Sequence, residues 1–444
     1  MLPIPLVAGD GQDAVLASET RGMRILLAIH NAYTDPTSGA ARCVRTIVEW
    51  LAAAGHDCRV LATARFDGIP PDSIDEHLVD LDVAIERVRL TPENSSDLPA
   101  VQFELNDVPV TMLLTRHNRL DEPDRAESRQ FLAAFDEVVR QFEPDLLFTY
   151  GGHPVIQESM RRSRGRGITT AFTVRRTGYE DPFWFRYADH VLTAGPFLGE
   201  HYRQAIGLES TGIEPPIDWT DARAPEESAS SREYVTFVNP SLQKGAAFFA
   251  RLADVLGSRR PDIPILVVES AMDGRVLDRF ADVNLARYPQ IVAGSPTPCP
   301  ADFFALTKIL LVPSVCDEAF ARVAVEALIN GIPPLVSDRG GLPQAVRGAG
   351  RVLAIPAWMT PASVELPSVA EVEPWVRTIC ELWDDPARYA AASALARRTA
   401  QDFYAEPLMR RRYVDYFESL PTKHNRLNTA TKENADDRSF QLVS

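Results

Sequence analysis

The chain has 444 residues, of which 45% are hydrophobic, and a formal net charge of −15. That length exceeds one ordinary core and makes two domains the default, while the apolar fraction is that of a globular protein with no run of about eighteen apolar residues to span a membrane. The negative charge excludes a general nucleic-acid surface, because phosphate would be repelled, but leaves room for a local basic pocket that takes a small phosphate compound.

Residues 1–22 begin with a short apolar stretch that no basic region precedes, so they read as a flexible extension and not as a secretory signal. From Arg24, RILLAIH has the pattern of a buried parallel strand; the loop NAYTDPTSG follows, then an amphipathic helix from Ala40 to Ala54, ended by Gly55, and the strand CRVLAT. Strand, helix and strand in that order make a βαβ unit. Residues 67–100 are rich in Asp, Pro and Ser and show no clear pattern. VPVTMLL at 108–114 reads as a strand, 124–142 as a long helix, DLLFTY as a strand, 155–166 as a helix and TTAFTV as a strand. HVLTA and the helix FLGEHYRQAI close this half.

Residues 213–232 turn to proline, serine and acidic residues, the composition of a linker. A second alternating series starts at YVTFVNP and runs through a helix at 245–256, PILVVES, QIVAG, KILLVPS, a helix, PPLVS and a helix at 371–383. Residues 386–419 are helical by pattern, and the polar tail 421–444 is expected to be disordered. The fold class is therefore α/β, with two Rossmann-like parallel-sheet domains, 23–212 and 233–395, facing a cleft. Ligands of such sheets bind beyond the carboxyl ends of the strands.

One stretch beside that cleft is chemically conspicuous. DEAFARVAVEALINGIPPLVSDRGG places Glu318 and Glu326 eight residues apart among apolar neighbours. The helix here can start only near Phe320 to Arg322, which leaves Glu318 in the preceding loop and Glu326 on the helix. Its first amides carry partial positive charge and suit a phosphate. A carboxylate accepts two hydrogen bonds from a vicinal diol, so two spaced glutamates suit a ligand with two sugars. The plainer alternative is a dipole-favoured acid before a helix and a surface glutamate on it, although Ala324, Val325, Ala327 and Leu328 flank Glu326.

DEAFARVAVEALINGIPPLVSDRGGLPQ resembles the E-x7-E signature of the retaining glycosyltransferases of family 4, which have the GT-B fold. MRILLAIHNAY, SGAARCVRTIVEWLAAAGHDCRVLA and FVNPSLQKG resemble that family's first strand, glycine loop and helix, and the Lys-Gly loop of its second domain; the likeness covers roughly residues 23 to 415. The resemblance implies a hexosyltransferase that takes a nucleotide-sugar as co-substrate, with no other cofactor; the lack of metal-binding motifs predicts no metal, and the net charge no nucleic acid. It implies that Glu318, beside Phe320, holds the donor sugar, Glu326 the ribose and Lys244 the diphosphate, with Gly39 letting the backbone approach. A fixed cation such as Lys244 stabilises a leaving diphosphate that gains charge; otherwise it is a solvated lysine in a turn. The resemblance also implies helices at 396–420 that pack back on the first domain, and an acceptor that is a sugar, a lipid-linked sugar or a small molecule.

Several positions depart from the resembled pattern. The arginine expected five residues before Lys244 is Asn239, the Gly-Gly of the first loop is Gly39-Ala40, the glycine after Phe320 is Ala321, the histidine after the fifth strand is Arg175, and the glutamate after GGLP is Gln344. Arg175, Arg176, Arg322 or Arg339 is expected to supply the missing charge; alternatively Arg175 and Arg176 are a solvated loop pair. His153, in TYGGHPV, either meets a sugar hydroxyl or caps the next helix. The run RRSRGRG at 161–167 reads as the exposed end of a helix, and Trp50, Trp375 and Trp383 as core.

Cys43, Cys58, Cys299, Cys316 and Cys380 are odd in number and lack CxxC spacing, which argues against a disulfide framework or a zinc site and fits a reducing cytoplasm. There is no His-Glu-x-x-His, no Walker loop and no GxGxxG after the first strand, and AMDGRVLD at 271–278 reads as a turn. Two rivals stand beside the transferase: a protein of this fold that binds a nucleotide-sugar without turnover, and a nucleotide-sugar epimerase.

Overall fold

The structure, a computed structural model, describes residues 22–36, 38–67, 70–89, 99–119, 125–269, 276–277, 280, 282–297 and 299–422. Most of the extension 1–22, of the tail 421–444 and of the turn 271–278 lies outside the described residues.

The first sheet has nine strands: β1 (Arg24–Ala28), β2 (Asp57–Thr63), β3 (Glu86–Val88), β4 (Ala100–Leu105), β5 (Val108–Leu113), β6 (Leu146–Tyr150), β7 (Thr169–Val174), β8 (His190–Ala194) and β9 (Thr211–Ile213), in the order β3-β4-β5-β2-β1-β6-β7-β8-β9. The second has six: β10 (Tyr234–Val238), β11 (Ile265–Val268), β12 (Ile291–Gly294), β13 (Thr307–Val312), β14 (Pro334–Ser337) and β15 (Arg351–Leu353), in the order β12-β11-β10-β13-β14-β15, with every pairing parallel. In each sheet a first strand, β1 or β10, lies between its successor and a later strand, β6 or β13. The strand order reverses there, which opens a crevice at the carboxyl ends.

The first sheet is not wholly parallel, as its alternation implies. β3 and β4 run antiparallel, and β4 turns into β5 through Asn106-Asp107, both with positive φ (51° and 61°). A two-residue loop with both residues left-handed is the turn whose twist matches a hairpin, and Asn and Asp tolerate it better than other non-glycine residues. The unpatterned stretch 67–100 thus holds a helix, Ile74–Asp80, the edge strand β3 and the first residue of β4.

Helices at Pro386–Tyr404 and Glu406–Ser419 cross from the second domain to the first. Tyr413 and Phe417 are buried against the first domain's Trp50 and Phe148, at ring distances of 6.1 Å and 5.0 Å. Trp50 and Trp375 are buried and Trp383 partly so. The residues after β9 are ordered too. Asn330 donates to the Ala222 carbonyl (2.7 Å) and accepts from the Ala224 amide (2.8 Å), pinning the connection to the second domain.

Candidate active site

β10 is followed at once by Asn239, whose φ of 59° turns the chain into the loop that carries Lys244. Gly245 follows with φ of 86°, and a Cβ there would lie 2.0 Å from the Pro313 carbonyl oxygen, so only glycine lets this loop close against the end of β13. The Lys244 ammonium then meets Glu318, Nζ to Oε1 2.5 Å, and the Ser314 hydroxyl donates to the same oxygen at 2.7 Å. Ser337, at the end of β14, donates to the Ser314 carbonyl. Three adjacent strand ends are thus tied into one polar cluster.

Gly340 and Gly341 hold it from the other side. A Cβ on Gly340 (φ 56°) would stand 2.5 Å from the Glu318 backbone, and the Gly341 amide donates to the Glu318 carbonyl at 2.7 Å. The glycines after the E-x7-E run are there so that this loop can pack against the one bearing Glu318. The Glu318 side chain is 11% exposed and that of Lys244 35%, so the lysine is not a fully solvated turn residue.

The helix Arg322–Ile329 starts where the turn-like residues end, and among the described residues no side chain caps its first amides. Glu326 sits in its second turn, only 7% exposed, which excludes the surface-glutamate alternative. Burial raises its pKa against the pull of Arg322 and Arg42. Arg322 lies 3.6 Å from Glu326, and Arg42, reaching over from the first domain, pairs with Asp221 at 2.9 Å.

Facing this cluster, a cavity of about 600 Å³ opens at the carboxyl ends of β1, β6 and β7, and Phe320 and Arg322 of the second domain complete its wall. It brings together Gly39, His153, Arg175, Arg176, Phe320 and Arg322. Lys244, Glu318 and Glu326 are not among its described lining residues; the first two belong to the cluster at the strand ends of the second sheet. Ser38 caps the helix Gly39–Ala53 by accepting from the Ala41 amide, and a Cβ on Gly39 would meet nothing within 4 Å among the described residues. That backbone is open to a ligand. Asp35 accepts from the amides of Ser38 and Asp67, which sets the loop's shape. A neighbouring cavity of about 480 Å³, lined by Glu214, Phe320, Gly341, Gln344 and Arg347, also lies between the domains.

His153 caps the next helix, one of the two roles expected of it, and also lines the cavity. Its Nδ1 accepts from the Val155 amide (3.3 Å) at the start of the helix Pro154–Gly165. It stacks on His30 at 3.8 Å, and His30 is pushed down to about 3 by burial, with His153 and Arg65 adding to the effect, so the pair is uncharged at neutral pH. Arg339 is absent from the described cavity wall and donates to the Pro356 carbonyl. Arg162 and Arg166 of the basic run pair with Asp136, as solvated helix-end residues do. Sequence reasoning missed His30, Tyr150, Ser314 and Asp35. His30 and Tyr150 each stand at or just past the end of a central strand, which is the signal that would have found them.

Two Rossmann-like sheets with opposed switch points and a returning C-terminal helix pair make this a GT-B fold. Residues 38–215 match the model of the glycosyl transferase 4-like domain. The chain is 28% identical over 185 residues to the D-inositol 3-phosphate glycosyltransferase of Thermobispora bispora, a match spanning 39% of this chain and 40% of that relative. Among solved structures it is similar to sucrose-phosphate synthase from Thermosynechococcus elongatus (TM-score 0.61, 17% identity, 89% of this chain and 98% of that one). It is likewise similar to Anabaena Alr3699/HepE in complex with UDP (TM-score 0.62, 15% identity, 90% and 100%). At these identities the two structures speak for the fold. Among the described residues no helix is long and apolar enough to cross a membrane, and no group of three or more His, Cys, Asp or Glu is placed to hold a metal ion.

Proposed function

We propose that the protein is a glycosyltransferase that moves a hexose from a nucleoside-diphosphate donor to a hydroxyl acceptor, with retention of configuration and without a metal. The observation that carries this reading is the Lys244–Glu318–Ser314 cluster at the switch point of the second sheet, next to a cavity whose wall comes from both domains. In the unliganded protein Glu318 neutralises Lys244. A donor diphosphate competes for the ammonium, and the freed carboxylate accepts hydroxyl hydrogen bonds from the sugar. Charge that builds on the leaving diphosphate is met by Lys244 and by the uncapped amides at Arg322. Glu326, buried beside Arg322, takes the ribose hydroxyls. The acceptor occupies the first-domain cavity, where Gly39 leaves the backbone accessible, and a leaving-group oxygen receives its proton.

The glycosyl transferase 4-like match over 38–215 supports this reading, as do the curated relative's name and the UDP and UDP-glucose complexes of the Anabaena structural neighbour. The test is nucleoside diphosphate release from a panel of UDP-, GDP- and ADP-sugars, with and without acceptors that include D-inositol 3-phosphate. Release that depends on an acceptor and collapses in Glu318→Ala is expected. Binding without release from any donor would favour a non-catalytic binder of the same fold.

A further inference from the structure

Arg175, the first residue after β7, enters the wall of the first-domain cavity. Its three guanidinium nitrogens are all buried; the neutral Tyr413 hydroxyl lies beside them, and among the described residues no carboxylate pairs with them. A guanidinium carries five N–H donors and stays charged, so leaving it buried and unanswered is costly unless something arrives to answer it. The groups around it do not neutralise it. Cys43, Tyr150 and Tyr413 face it, and burial pushes all three away from ionisation. Tyr413 donates its proton to the Glu214 carbonyl, so its oxygen faces the guanidinium as a neutral acceptor and not as a countercharge.

The rest of the described wall has the same sign. Arg176 lies beside Arg175 and Arg322 opposite, the latter sharing its charge with Glu326 at 3.6 Å. Asp67 is the one carboxylate in that wall, and the Ser38 hydroxyl donates to it at 3.3 Å. His30 and His153 stay neutral. A wall with three guanidiniums to one carboxylate stands out in a chain of net charge −15.

We propose that this cavity receives an anionic group, a phosphate or a carboxylate, on the acceptor, and that Arg175 is the residue that binds it. The word acceptor rests on the transferase reading; the anion site does not. Arg175 replaces the neutral or switchable histidine of the resembled pattern with a fixed cation that forms bidentate bonds to an oxyanion. Its place on the first-domain wall, apart from Lys244, separates it from the donor's diphosphate.

The experiment titrates the full-length protein with inorganic phosphate and, separately, acetate, read by calorimetry and thermal denaturation, in wild type, Arg175→Gln, Arg175→Lys and Lys244→Gln. A saturable site that survives in Lys244→Gln is expected in wild type, weakened at least tenfold in Arg175→Gln and partly restored in Arg175→Lys. The anion that binds tighter identifies the acceptor's group. Without anion, Arg175→Gln should melt at or above the wild-type temperature, because it removes a buried unanswered charge. Equal binding in Arg175→Gln, loss only in Lys244→Gln, no saturable binding, or a lower melting temperature for Arg175→Gln would each overturn the proposal. Failure of the transferase reading shows separately, as no diphosphate release from any donor.

Discussion

At the ends of β10, β13 and β14 the charges come in pairs: Lys244 with Glu318, and close by Arg322 with Glu326. Across the cleft, at the ends of β1, β6 and β7, Arg175 has buried nitrogens with no carboxylate paired to them among the described residues, and two stacked histidines are held neutral. The paired side is organised before any ligand comes, and a ligand must displace an internal partner to use it. The unpaired side is electrostatically incomplete. Preorganised pairs suit a step where charge develops, and an unanswered cation suits recognition.

Breaking the paired side should have the largest effect. Lys244→Ala and Glu318→Ala are expected to lower transfer by about 10²- to 10³-fold, the range seen when a preorganised electrostatic contact is removed. Glu326→Gln keeps the shape, removes a carboxylate that burial disfavours, and so should leave the melting temperature unchanged or raised while weakening donor binding.

Gly340→Ala attacks the same cluster through the backbone. Its left-handed φ and the 2.5 Å approach to the Glu318 backbone predict a loss of about 1–3 kcal/mol in denaturant unfolding, with a matching fall in donor affinity. Ala at Gly39, where the space is open, should leave stability within about 1 kcal/mol and instead weaken a ligand that lies against that backbone.

A pH-dependent effect sharpens the unpaired side. The His30 pKa is depressed in the folded protein to about 3, from an unfolded value near 6.5. Between those values the unfolded chain holds a proton that the folded one does not. Stability is therefore complete above pH 6.5 and falls as the pH drops toward 3, by up to about 1.4 kcal/mol per pH unit from this group. His30→Gln should flatten that slope in unfolding measured from pH 7 to pH 5; an unchanged slope would place the histidine outside the account.

The α/β alternation of both halves was legible because buried parallel strands read as continuous apolar runs between amphipathic helices. The first sheet's antiparallel edge was not, since β3 is only three residues long and lies in a polar stretch, although Asn106-Asp107 carried the hairpin signal. At the site, Glu318, Glu326 and Lys244 stood out by charge against apolar neighbours. Their partners did not: Ser314 lies close before Glu318 but reads as an ordinary strand-end residue, and Arg42 is unremarkable until the fold brings it in from the other domain. Arg175 was visible as a departure from a pattern, but whether its charge is paired depends on residues scattered from Cys43 to Tyr413.

The central claim is that a nucleoside diphosphate lies at the end of the second sheet, gripped by Lys244 beside Glu318. Calorimetric titration of UDP, GDP and ADP into wild type and Lys244→Gln, with melting curves as a check on folding, tests it most directly. The account predicts one site for at least one of these nucleotides in wild type and an affinity at least tenfold lower in a folded Lys244→Gln. Equal affinity in the two proteins, or no binding of any of the three, would contradict it.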